Sequence, residues 1–213
     1  MAQIVTRLVQ PERTLTRGEA LEAARQGEVT EEDYVKVFGG VSICDRPGLS
    51  VAEMRRIATQ VHRRNPLGLI LIDHLGLVGG HRKLSIYERI SHHAQEIKEM
   101  AKALDVPVVL ALQVSRQEGG DGSQQLSLAA ARDAGVIEET VDYLIGMRRP
   151  ERSRTISDSD RLEWKDVVMI QVIKNRHGNV GNEVAIRIDE TLTWHEMDTD
   201  ELPDASMSSI ART

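Results

Sequence analysis

One cysteine in 213 residues, Cys44, leaves no internal disulfide to form, which fits a reducing cytoplasm. Its apolar neighbours Val41 and Ile43 predict a buried small hydrophobe, not a nucleophile. Aromatics are only 3% of the chain, too few for base-stacking platforms of the RRM or OB type. Positive charge is not in excess either: 33 acidic against 27 basic residues give a net charge of -6. The chain therefore does not coat nucleic acid by bulk charge, and any such contact is local. No apolar run is long enough for a membrane-spanning helix. Met1 to Leu8 lack the apolar core and cleavage site of a secretion signal, so the cytoplasm is the expected location. No Gly-Lys dipeptide occurs, and the phosphate-cradling loop that requires one is absent. No internal repeat is visible.

What is present is organised around Leu67-Gly68-Leu69-Ile70-Leu71-Ile72-Asp73, an apolar run closed by one carboxylate. It reads as a strand buried on both faces of a parallel sheet, with Asp73 at the carboxyl edge where α/β sheets bind ligands. There an Asp can hold Mg²⁺, directly or through water, beside a nucleotide phosphate, as in a Walker B strand; a plain strand end is the alternative. Ser85 and Glu88 form a capping box opening a helix to about Leu104, with Ile90, Ala94, Ile97, Ala101 and Leu104 at helical spacing. Pro107 to Leu112 is a second apolar strand, completing a right-handed βαβ unit and bringing Gln113 to the same crevice as Asp73.

The length suits one α/β domain over residues 1–197, its mostly parallel sheet flanked by helices and ending in antiparallel strands, with a disordered tail over 198–213. Helices are expected at 2–9, at 17–25, after Thr30 and, from a Ser50/Glu53 capping box, at 51–64; Met1 leaves no room upstream for a strand, so the chain is expected to begin mid-fold. Val41 to Cys44 reads as a short strand, 116–127 as a mobile loop, 128–140 as a short helical stretch and 149–164 as a charged loop. Strands are expected at 143–147, 167–174, 183–188 and 193–197. Arg55, Arg56, Arg63 and Arg64 make the 51–64 helix basic, which reads as a solvated face, with a phosphate track as the alternative. Four histidines, His74, His81, His92 and His93, are close in sequence, but adjacent helical positions face different ways, so no metal site is expected from them.

Ile70-Leu71-Ile72-Asp73-His74-Leu75, the long helix, and Val106 to Arg116 with its Gln113-Val114-Ser115 together resemble the RecA-like motor domain of DnaB-type replicative helicases. Two later motifs agree: Arg132-Asp133-Ala134-Gly135-Val136-Ile137-Glu138 and Lys174-Asn175-Arg176-His177-Gly178-Asn179-Val180-Gly181. The resemblance implies an ATP-dependent helicase working as a homo-hexamer on single-stranded DNA in replication, with primase or a helicase loader as further partners. It implies that Asp73 organises Mg²⁺ and Gln113 senses the γ-phosphate of ATP, and that Lys174 and Arg176 reach a neighbouring subunit's nucleotide as an arginine finger. It implies that Arg132, Asp133 and Gly135 grip DNA in the ring's channel, as do Arg82 and Lys83 in a second loop. A polar strand end is the alternative for Gln113, a solvated hairpin for Lys174 and Arg176, a helix cap for Arg132.

The departures are specific. The Walker A segment, the family's catalytic glutamate and its helix-rich amino-terminal domain are not in this sequence, so the chain alone is expected to be inactive. Gly76 stands where the family usually has Gln, Leu112 where it has Ser or Ala, and Asp133 where it has Glu. Two other readings remain open: a non-catalytic RecA-like subunit docking on a complete ring and lending Lys174 and Arg176 in trans, and a RecA-fold recombination or clock-type ATPase.

Overall fold

Ser50 accepts a hydrogen bond from the Glu53 amide and the Glu53 carboxylate accepts from the Ser50 amide (3.0 Å), so the expected capping box starts helix α1, Val51–Arg64. Its four arginines are exposed, as a solvated face requires. The computed structural model describes residues 39–81, 83–113, 135–153 and 156–198, together with Glu19, Glu22, Ala23, Gln26 and Leu202. The expected helices at 2–9 and after Thr30 and the 116–127 loop lie outside the described residues, as does nearly all of the 198–213 tail. Within 17–25, Glu19, Glu22 and Ala23 are helical.

Strand β1, Ile70–Ile72, pairs in parallel with β2, Val108–Leu110, in the register Ile70 to Val108 and Ile72 to Leu110. Helix α2, Ile86–Leu104, joins them, opened by Ser85 with Glu88 and closed by Asp105 in the left-handed region (φ 52°). Both strands are shorter than expected, and burial on both faces is corrected. Ile72 is buried, but Leu71 is 67% exposed, and Leu69 and Val109 are exposed too. The reason is layering: α1 and α2 pack on the Ile70/Ile72 face, and the opposite face is uncovered among the described residues.

The core joins Val51 of α1, Ile72, Leu75 and Val78 around β1, Ala94, Ile97 and Met100 of α2, and Ile137 of α3, Gly135–Thr140. The α2 stripe is rotated slightly from expectation: Met100 is buried, with Ile90 and Leu104 half-buried at its margins and Ala101 beside it.

The remaining strands form an antiparallel sheet of order β3-β4-β5-β6: Tyr143–Arg148, Val167–Asn175, Glu183–Ile188 and Trp194–Glu196. Val167, Met169 and Ala185 make a second core with Trp164. Arg148 Nη2 donates to Glu183 (2.8 Å), a nearly buried pair reaching from β3 past β4 to β5. The architecture is α/β: a two-stranded parallel unit with helices on one face and, among the described residues, a separate four-stranded antiparallel sheet.

Two further expectations are corrected. The 149–164 segment contains a 3₁₀ turn, Pro150–Arg152, and helix α4, Asp158–Glu163, capped by Ser157, which accepts from the Asp160 amide (3.1 Å). Ser157 followed by Asp158 and Asp160 is a helix-start signal hidden within a charged run. Val41 to Cys44 forms no strand, and Cys44 is exposed, because this segment has no pairing partner among the described residues to bury it.

One-sided burial gives a direct test by urea denaturation of the chain. Met100→Ala is expected to lower stability by about 2–5 kcal/mol through an unfilled cavity, whereas Leu71→Ala, on the open face, changes it by less than about 0.5 kcal/mol.

Candidate nucleotide and DNA site

The parallel ladder does not stop at the strand ends. The Ala111 amide donates to the Ile72 carbonyl (3.0 Å), and the Leu75 amide donates to the Ala111 carbonyl (3.0 Å). Asp73 is thus held in a short segment tied on both sides to the chain leaving β2, and Gln113 follows two residues after Ala111. Both side chains are exposed. The structure brings these two expected site residues to the same edge of the same strand pair. The Asp73 carboxylate and the Gln113 amide oxygen are hard oxygen donors, the type that suits Mg²⁺.

The loop after Asp73 turns at once. His74 Nδ1 accepts from the Gly76 amide (3.2 Å), capping a 3₁₀ turn over Leu75–Leu77. A Cβ at residue 76 would lie 2.9 Å from the His74 ring, so the imidazole fills space a side chain there would need. Of the cations expected in this loop, Lys83 is exposed and Arg82 lies outside the described residues. Arg132 and Asp133 also lie outside them, and Gly135 opens α3.

Lys174 and Arg176 belong to the other sheet. Lys174 is half-buried near the end of β4, opposite Leu144, and Arg176 follows in the exposed turn. Arg176, which the resemblance implies reaches a neighbouring subunit, has a partner within its own chain. Its Nη1 donates to Asp142 Oδ1 (2.7 Å) and its amide donates to the Asp142 carbonyl (3.0 Å). The other Asp142 oxygen accepts from Lys98 of α2. The Lys98 hydrogen bond, followed by the Lys98 and Arg176 charges, holds the Asp142 carboxyl below the usual range.

Asp142 was not legible from sequence because its role depends on the register that sets Tyr143 opposite Asn175. His81, His93 and Glu96 were missed as a group as well. His92 and His93 do face different ways, one exposed and one buried, but His93 and Glu96 are one helical turn apart, a spacing that a search among histidines alone passes over.

The DnaB-like helicase C terminal domain model matches residues 1–196. The replicative DNA helicase DnaC of Bacillus subtilis (strain 168) is 30% identical over 167 residues, covering 74% of this chain and 36% of that protein. The replicative DNA helicase DnaB of Rickettsia felis is 31% identical over 153 residues, covering 66% of this chain and 31% of that protein. The chain therefore spans about a third of the length of these relatives. Among solved structures, the ATPase domain of G40P superposes with a TM-score of 0.73 at 25% identity, covering 91% of this chain and 70% of that one. A DnaB-like replicative helicase, described with its interactions with primase, gives 0.71 at 25% identity, covering 91% and 47%. With the family model spanning nearly the whole chain and the RecA-like fold shared, this chain belongs to the DnaB-like helicase C-terminal domain family.

Proposed function

We propose that this chain is the carboxyl-terminal part of a replicative helicase motor that couples ATP hydrolysis to movement along single-stranded DNA in a homo-hexameric ring, with primase or a loader as partners of the complete protein. The observation that carries this reading is the placement of Asp73 and Gln113 just beyond the carboxyl ends of two adjacent parallel strands. Asp73 would hold Mg²⁺ directly or through water, and the ion, when bound, neutralises charge on the β- and γ-phosphates. Gln113 carries both a donor and an acceptor, so its amide can bond a phosphate oxygen or orient the attacking water, and it distinguishes triphosphate from diphosphate.

Arg176 is the trans-acting cation of this scheme. The Asp142 contact uses one guanidinium nitrogen and leaves the rest of the donor fork for a phosphate. Asp142 would then aim Arg176 instead of neutralising it. Lys174 supplies a second charge. Arg132, the Asp133 to Gly135 backbone, Arg82 and Lys83 would contact the DNA phosphates, giving grip without sequence preference.

Three measurements test this. The chain alone, lacking the phosphate cradle, is expected to show no ATP turnover above background with Mg²⁺ and single-stranded DNA; turnover abolished by Asp73→Asn would mean that another segment supplies the cradle. Its binding to single-stranded DNA should be weak and salt-sensitive, with Arg132→Ala reducing the slope of log affinity against log salt by roughly 0.7. An unchanged slope would remove Arg132 from the DNA path. In a ring completed with a P-loop segment, Arg176→Ala should cut kcat by about 10³ or more with far less effect on ATP affinity. Mixing those subunits with Asp73→Asn subunits should restore part of the turnover, because some mixed interfaces keep both groups. Co-assembly without any restoration would show that Arg176 does not act across the interface.

A further inference from the structure

His93 sits on α2 with 3% of its surface exposed, and its Nε2 has no hydrogen-bond partner. A neutral imidazole with an unpartnered ring nitrogen can offer that nitrogen's lone pair to a metal ion. Two more donor atoms converge there. Glu96 lies one helical turn along α2, and His81 comes from the loop after β1; the His81, His93 and Glu96 donor atoms all lie within 4.8 Å of one another.

We propose that His81, His93 and Glu96 form a site for a divalent transition-metal ion of the zinc type, unconnected with the Mg²⁺ expected at Asp73. Two imidazole nitrogens and a carboxylate oxygen are a ligand set that Zn²⁺ accepts, with a fourth position left for water. His81 Nε2 and Glu96 Oε1 are 3.1 Å apart, close to the roughly 3.3 Å that separates tetrahedral ligands at Zn bond lengths of roughly 2.0–2.1 Å. His92 stays outside the group, stacked on the His81 ring at 5.1 Å. Arg89 adds an opposing positive charge at His93, which the Glu96 carboxylate offsets.

The backbone is built to deliver His81. The Gly79 amide donates to the Leu49 carbonyl (2.8 Å), and a Cβ at residue 79 would lie 2.0 Å from the Gly48 oxygen, so only glycine allows this approach. Gly80 (φ 105°) and His81 (φ 48°) then turn the chain back onto α2 through the left-handed region, which a histidine rarely adopts. A bound ion would strap this loop to α2 and fix the segment carrying Lys83.

The test uses the 213-residue chain with Zn²⁺ or Co²⁺ alone. One ion per chain is expected, with Co²⁺ giving visible absorption of low-symmetry coordination. His81→Ala and Glu96→Gln, at side chains reaching solvent, should each weaken binding by about 10-fold or more, while His177→Ala leaves it unchanged. Zn²⁺ should also raise the thermal midpoint of the parent chain and not of the His81→Ala chain. No saturable binding at micromolar metal, or one ion bound equally well by the parent and both site variants, would overturn the assignment.

Discussion

The burial of one face of α2 is the constraint from which the rest of the described parallel unit follows. Ala94, Ile97 and Met100 lie against Ile72, Leu75 and Val78, and each large side chain fully buried in this way contributes about 1.5–3 kcal/mol. Because the helix connects β1 to β2, its seat fixes how far the two strands run side by side, and so where Asp73 and Gln113 emerge. The same rotation of α2 turns His93 inward with Glu96 beside it and directs Lys98 toward Asp142. Three groups of polar side chains are thus positioned by one apolar stripe.

How much of this could be read in advance depended on how local the cause was. Helices α1 and α2 were legible to within a residue, because Ser50 with Glu53 and Ser85 with Glu88 state their own boundaries and apolar spacing states the buried face. The antiparallel strands were legible for a similar reason. The apolar runs at Tyr143 to Met147 and Val167 to Ile173 and the turn at Arg176 to Gly178 are local signals. Asp73 and Gln113 stood out because each ends an apolar run. What failed was whatever depended on a neighbour. The run Leu67 to Asp73 looks doubly buried from composition, yet Leu71 is exposed because layering, not hydrophobicity, decides which faces are covered. Cys44 has apolar neighbours in sequence, and none among the described residues covers it in space. Ser157 announced a helix that the surrounding charge disguised.

Asp142 shows the same limit at the functional site. No property of the sequence around Asp142 marks it, yet it bonds a lysine of α2 and an arginine of the β4–β5 turn and so links the parallel unit to the antiparallel sheet. Its side chain is 36% exposed, so solvent screening keeps each of these ion pairs within about 0–1 kcal/mol. Stability is therefore not its main consequence. With its carboxyl held below the usual range, the link is fully present above the ordinary carboxylate pKa and is lost only as pH falls through the depressed value. At neutral pH the Arg176 side chain is directed by a charge that stays in place.

That direction bears on the proposed motor. An arginine that acts on a neighbour's nucleotide must be positioned before the nucleotide arrives, since a freely rotating side chain would lose entropy at each encounter. A carboxylate held too tightly would defeat the purpose by neutralising the guanidinium; an exposed one, already shared with Lys98, has less charge to give. The triphosphate carries more negative charge than the half-share Asp142 offers and gains from the donors of Arg176 that Asp142 leaves unused. Sharing Asp142 between two cations thus orients Arg176 while leaving it available, and the tie to α2 relates that orientation to the helix whose seat sets Asp73 and Gln113.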